Sequence, residues 1–121
     1  MGDSLTEKII SAAIEVHRIL GPGLLESIYE EALGYELSKR SMPFERQKDV
    51  DVVYKDQVIK GQMLDLLVNG EVVVEIKSVR RLEQIFVAQV LSYLKATGIK
   101  RGLIINFGQS RLVDGVKRIS L

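Results

Sequence analysis

The chain contains no cysteine. That excludes a disulfide framework and a thiolate metal site, and it suits a reducing compartment. Apolar runs are short: none approaches the ~18 residues that cross a bilayer. The first residues also lack the basic-then-apolar pattern of a signal segment. Repeats, low-complexity stretches and linkers are missing as well. The expectation is a soluble, cytoplasmic protein with no membrane partner.

What is present is an ordinary globular balance over 121 residues, 46% hydrophobic and 27% charged, which fits one domain. The net charge of +1 hides an uneven distribution. Residues 1–76 hold 8 Lys/Arg against 14 Asp/Glu, a net of −6, and residues 77–121 hold 9 against 2, a net of +7. Either the basic half meets a polyanion, or the two halves neutralise each other in the fold.

Ile9, Ile10, Ala13, Ile14 and Leu20 recur at helical spacing over residues 6–20, with Ser4 or Thr6 as the expected N-cap. Gly21-Pro22-Gly23 ends that helix. A second is expected from Leu24 to Arg40, with Leu25, Ile28, Ala32, Leu33 and Leu37 inward, broken by Ser41-Met42-Pro43. Strand-like runs follow over 44–54, 58–68 and 72–79. A third helix spans 81–96, with Leu82, Ile85, Phe86, Ala88 or Gln89, and Leu91 or Ser92 on its inner side, and Thr97-Gly98 closes it. The run 102–107 reads as a buried strand and 111–119 as a final one. The order α-α-β-β-β-α-β-β describes a single α/β domain with a mixed sheet.

The stretch DLLVNGEVVVEIK, residues 65–77, is an Asn-Gly hairpin in which Asp65, Glu75 and Lys77 interrupt aliphatic strands. Side chains alternate across a strand, so loop length decides which of them meet. A two-residue loop drives Asp65 in among Val72, Val74 and Ile76, at a cost of ~2–7 kcal/mol for an unpartnered polar group. A three-residue loop, with a type I turn ending in Gly70 in the left-handed region, segregates the two sets. Leu64, Leu66, Val68, Val72, Val74 and Ile76 then form one apolar face. Asp65, Glu75 and Lys77 gather on the other, beside Leu67 and Val73. Two carboxylates on adjacent strands repel unless a cation lies between them, and a hard ion such as Mg2+ takes oxygen ligands. The main-chain carbonyl of Ile76 would add another oxygen, and Lys77 would sit close enough to position a water and offset phosphate charge. The bland alternative is a solvated face on which Lys77 pairs with one of the acids.

Asp65, ten positions before Glu75-Ile76-Lys77, resembles the signature of the PD-(D/E)XK nucleases. Gly23-Leu-Leu-Glu26-Ser-Ile-Tyr29 matches the GxxExxY motif of a small bacterial and archaeal family assigned to that superfamily. Gln89-Val-Leu-Ser-Tyr93 resembles the QxxxY motif of RecB-like nucleases. VHRILGPGLLESIYEEAL, PFERQ, AQVLSYLKATG and RGLIINFG extend the resemblance over nearly the whole chain. It implies a restriction-endonuclease-like fold, a mixed central sheet flanked by helices, acting as a metal-dependent nuclease. Asp65 and Glu75 would be metal ligands for Mg2+ or Mn2+, supported by Glu26, and Lys77 the catalytic lysine. Gln89 and Tyr93, four apart on one helix face, would orient Lys77, the water or the nucleic-acid backbone. The Pro of the Pro-Asp dipeptide is replaced by Leu64.

Duller readings stand beside these. Glu26 lies in a first helical turn, where an acid is favoured by the dipole in any case. Tyr29 reads as packing or as an anchored hydroxyl. His17, in register with Ile10, Ala13 and Ile14, reads as a hydrogen-bonded core residue ahead of a ligand. Arg80, Arg81, Lys95, Lys100 and Arg101 are candidate phosphate contacts or simply solvated. The expected partner is nucleic acid, DNA ahead of RNA, with a homodimer or a partner protein supplying target choice. The rival function is a catalytically silent nucleic-acid- or protein-binding module on the same fold.

Overall fold

The computed structural model describes residues 3–121. Helix α1 (Ser4–Leu20) opens one residue earlier than the candidate caps. Asp3 fills the role, its Oδ1 accepting from the N–H groups of Leu5 (3.1 Å) and Thr6 (3.3 Å). Thr6 instead donates its hydroxyl to Asp3 Oδ2 at 2.9 Å. Helix α2 (Glu26–Lys39) starts two residues later than expected, because Leu24 lies in a bend and Leu25 is still extended. Strands β1 (Phe44–Tyr54), β2 (Gln57–Val68) and β3 (Val72–Lys77) precede helix α3 (Gln84–Thr97), which ends on left-handed Gly98 (φ 76°). Strand β4 (Arg101–Asn106) leads through a 3-10 turn at Leu112–Gly115 to β5 (Val116–Ser120), so the expected final strand is only half that length.

The sheet order is β1-β2-β3-β4-β5, antiparallel except for the parallel pair β3–β4, whose crossover is α3. Two apolar layers enclose it. One face packs Leu66, Val68, Val72, Val74, Ile76, Leu103 and Ile105 under α1 and α2. The other packs Leu67, Val73 and Ile104 under Val90, Tyr93 and Leu94 of α3. This is the expected α/β domain, a mixed sheet between helices.

The helices are rotated from their expected seats. α1 buries Ile9, Ala12, Ala13 and Val16, whose small alanines allow close approach, and leaves Ile14 and Leu20 exposed. α2 buries Tyr29, Leu33 and Leu37, a stripe four apart, while Leu25 and Ile28 face solvent. On α3 the buried set is Val90, Tyr93 and Leu94, and Ile85 is exposed.

The hairpin has the odd parity: Val68 pairs with Val72, leaving Asn69-Gly70-Glu71 as the loop. Its conformation differs from the expected type I turn. Both Asn69 (φ 54°) and Gly70 (φ 67°) have positive φ, the primed pattern that Asn-Gly favours, and Glu71 N–H closes on the Val68 carbonyl at 3.0 Å. A second correction concerns Leu64, which does not continue the Leu66–Val68 face but belongs to the layer under α3. Residues two apart on a regular strand share a face, so β2 turns over between Leu64 and Leu66. Asp65 lies at that point, opposite a stretch of β1 where Gln47 takes φ 50°. Beyond it, β1 and β2 run on as a two-stranded ribbon against α3.

Candidate active site

Asp65 and Glu75 stand where β2 and β3 stop pairing, since the regular ladder covers only Leu66–Val68 and Val72–Val74. From there each carboxylate takes a main-chain donor of the opposite strand. The Ile76 N–H donates to Asp65 Oδ2 at 2.8 Å, and the Asp65 N–H donates to Glu75 Oε1 at 3.3 Å. This reciprocal clasp replaces ladder bonds with charge-assisted ones and fixes both side chains. One oxygen of each acid is left over. Asp65 Oδ1 has only the long 3.4 Å contact from Gln47 Nε2, and Glu75 Oε2 lies 3.9 Å from Lys77 Nζ. The Ile76 side chain is in the core. Its carbonyl points to the same strand edge as its N–H, towards Asp65.

Lys77 is held from the α3 side. Its Nζ is 3.5 Å from Gln89 Oε1 and 4.6 Å from the Phe86 ring centroid. Tyr93, one turn on from Gln89, is buried behind the acids. Burial, then the charges of Glu75 and Asp65, push its hydroxyl up to about 12, against a hydrogen bond from Gln89. It therefore stays a neutral O–H donor. Asp65, Glu75, Lys77, Gln89 and Tyr93 are thus brought together, the first three as strand parity implied and the last two as the resemblance implied.

The pair is electrostatically uncomfortable. Glu75 is pushed up to about 8, first by burial and then by the Asp65 charge, with Glu26 adding to it; the Asp65 N–H and Lys77 oppose the rise. Asp65 is also raised, by burial and by Glu30, against the Ile76 N–H, Lys77 and Gln47. Glu30 was not singled out by the motifs. It is buried on α2, accepting from Arg46 Nε (3.1 Å) and from Gln47 Nε2 (2.9 Å), the same amide that reaches Asp65. The signal was its position four residues after Glu26, on the same helix face.

Glu26 itself is exposed at the start of α2. The Tyr29 hydroxyl donates to the Gly21 carbonyl and accepts from the Leu24 N–H at 3.1 Å, while the Ser78 hydroxyl donates to the Leu24 carbonyl at 2.6 Å. Gly23 has φ 103°, which a side chain would strain. The Gly, Glu and Tyr of the motif therefore work as a loop, an acid and the clasp that ties the loop to α2, while Ser78 ties the same loop to the end of β3. Tyr29 also stacks on Phe107 at 4.4 Å between ring centroids. His17 is buried, with Nε2 at 2.8 Å from the Gln109 carbonyl, the core role expected of it.

Asn106 anchors the same strand end and was missed in the sequence. Fully buried, it accepts from the Val79 and Gly108 N–H groups (both 3.0 Å) through Oδ1 and donates to the Val79 carbonyl (2.9 Å) through Nδ2. Asn106→Ala would leave these groups unpaired at ~1–3 kcal/mol each. Chemical denaturation is expected to show a loss of roughly 2–5 kcal/mol.

The basic residues divide. Arg101 pairs with Asp3 and Glu71, and Arg118 with Glu7, so part of the basic half is spent neutralising the acidic half. Arg80 and Arg81 are exposed just beyond Lys77 and make no ion pair among the described residues. Lys95, two positions from Tyr93, points to the far side of α3 and lines a groove with β1, away from the acids.

Among the described residues no three carboxylate or imidazole side chains form a ready metal cage. The donor chemistry nevertheless fits a hard cation. Two carboxylates each present one uncommitted oxygen, and their mutual repulsion is what a cation relieves. Mg2+ in particular binds through one or two carboxylates and keeps water for the remaining positions.

A mixed sheet flanked by helices, with an acid pair and a lysine where its central hairpin splays, defines an α/β domain with a carboxylate pair at its candidate site. The chain belongs to the PD-(D/E)XK nuclease superfamily, whose family model matches residues 3–119. No curated protein and no solved structure gave a significant match.

Proposed function

We propose that the protein is a nuclease that hydrolyses phosphodiester bonds with Mg2+ or Mn2+, taking DNA ahead of RNA. The observation that carries this is the reciprocal clasp, which holds Asp65 and Glu75 with free oxygens beside Lys77. Asp65 and Glu75 would hold the ion with the Ile76 carbonyl, and Glu26 would support it from α2. Bound there, the ion would polarise the scissile phosphate and lower the pKa of a water. Lys77 would offset charge developing on the phosphate, a fixed donor needing no reorganisation. Gln89 keeps the lysine in place, and Tyr93 supplies a neutral O–H. Arg80 and Arg81 would meet flanking phosphates, and Lys95 a more distant one. The small surface beyond the site leaves target choice to a second copy or a partner protein.

The test is cleavage of supercoiled, linear and single-stranded DNA and of RNA with Mg2+ or Mn2+. Wild type is expected to cut at least one substrate, and Asp65→Ala and Lys77→Ala to abolish it. No cleavage of any substrate, or activity that survives both changes, overturns the proposal. The second reading, a silent binding module, draws on the absence of a ready three-ligand cage among the described residues. Calorimetric titration separates the two: a silent module takes up no Mn2+ at millimolar concentration.

A further inference from the structure

Strand β1 is one of the two edges of the sheet, and its outer half is unusually apolar for an exposed edge. Val52, Val53 and Tyr54 are 40%, 69% and 60% exposed. An open edge offers unpaired main-chain groups to another strand, and natural edges are normally defended against this. Here the flanking charges have the opposite character. The stretch Lys48-Asp49-Val50-Asp51-Val52-Val53-Tyr54-Lys55-Asp56 is self-complementary about Val52. Laid antiparallel on a second copy, Val50 meets Tyr54 and Val52 meets itself along the ladder, and the turn residues Lys55 and Asp56 come beside Asp49 and Lys48 beyond its ends.

The main chain suits that register. Tyr54 pairs with Gln57 across the two-residue turn Lys55-Asp56, so its N–H and carbonyl point towards β2. Val52, paired with Ile59, also points inward, and the extra residue that shifts the register lies in β2, near Gly61 (φ 113°). β1 therefore stays regular, with Val53 and Asp51 facing outward. In pairing about Val52, those are the residues that exchange hydrogen bonds.

A further observation points to the same occupant. Gln62 Oε1 is a buried side-chain atom without a hydrogen-bond partner among the described residues. Gln62 pairs with Val50 and lines, with Val52, Val53, Ser92 and Lys95, a groove of about 570 Å³ between β1 and α3. In the two-fold register, the second copy's tyrosine at the position of Tyr54 lies beside Val50, in one cross-strand row with Gln62. Its hydroxyl is a donor directed along that row.

We propose that the protein forms a two-fold homodimer by antiparallel pairing of β1 edges centred on Val52, which joins two sheets into one of ten strands. Five paired residues a side bury less than the ~1,200–2,000 Å² of standard interfaces, so the dimer belongs to the micromolar class. Val53→Pro removes only an outward N–H and leaves the pairing with β2 intact. Asp49→Lys sets like charges beside each other twice in one dimer, and Asp49→Lys with Lys55→Asp restores both attractions. Sedimentation equilibrium of the full chain is expected to show a dimer that Val53→Pro abolishes. Asp49→Lys should weaken it roughly tenfold, and the double swap should recover it. Melting curves identify any variant that fails to fold, and the charge swap then carries the test alone. A wild type that stays monomeric to millimolar concentration overturns the proposal. So does a dimer indifferent to these changes, or one that the double swap does not recover.

Discussion

Glu75→Gln is expected to raise the stability of the metal-free protein at pH 9 while ending the nuclease activity proposed for it. The two effects share one cause. Glu75 is 4% exposed and lies beside Asp65, so the folded protein holds its proton up to about 8, whereas the unfolded chain releases it near 4.5. Below 4.5 both states are protonated and the residue is neutral to folding. As pH rises from there the unfolded state ionises first, and stability falls by about 1.4 kcal/mol per pH unit until the folded carboxyl also ionises near 8. Water entry and side-chain relaxation trim the total to a few kcal/mol. A neutral amide of the same shape can still accept from the Asp65 N–H, and it removes the repulsion. At pH 5 the two proteins should melt nearly together. At pH 9 the variant should be more stable by roughly 2–4 kcal/mol, on the order of 10 °C in melting temperature.

Adding Mn2+ at pH 8 is expected to reverse that order. An ion that binds only the folded state stabilises it by mass action. Wild type should therefore gain melting temperature with Mn2+, and Glu75→Gln should gain little. If the variant is less stable than wild type at pH 9 without metal, the acid pair is not strained. If both respond alike to Mn2+, Glu75 is not a ligand.

The chemistry of this region was legible in the sequence to the extent that it depended on strand parity. Segregation of Leu66, Val72, Val74 and Ile76 from Asp65, Glu75 and Lys77 follows from alternation alone, and it holds. The i, i+4 spacing of Gln89 and Tyr93 put them on one helix face, and the family resemblance, not the spacing, turned that face towards the acids. What alternation does not contain is where a strand gives it up. Leu64 changes face because β2 turns over at Asp65, opposite the point where Gln47 of β1 takes φ 50°. Helix rotation was illegible for a related reason. Ile14, Leu25, Ile28 and Ile85 are apolar at suitable spacing, yet the sheet selected neighbouring stripes headed by Ala12, Tyr29 and Tyr93. Asn106 was missed because its distant partner, Val79, comes from another segment, and Glu30 had only its spacing from Glu26, since Arg46 and Gln47 come from β1.

Lys77→Ala is expected to lower cleavage by about 10²–10³-fold, the usual effect of losing one preorganised donor to developing charge, while Mn2+ binding holds or tightens. The second half follows from the surroundings. Lys77 Nζ lies 3.9 Å from Glu75 Oε2, and it and the backbone donors are what offset the acid pair in the absence of an ion. The ammonium group therefore competes with an incoming cation for the same negative field. Its removal leaves Asp65, Glu75, Glu26 and Glu30 with less compensation, which attracts a divalent ion more strongly. A merely structural lysine would behave differently: the variant would melt lower and bind metal less well, and activity would fall in proportion to the folded fraction. Single-turnover cleavage alongside calorimetric titration of Mn2+ distinguishes these patterns. Rate loss with intact or improved metal affinity assigns Lys77 to the reacting phosphate. Parallel loss of both would place it in the support of the hairpin instead, where its contacts with Gln89 and Phe86 would be its main contribution.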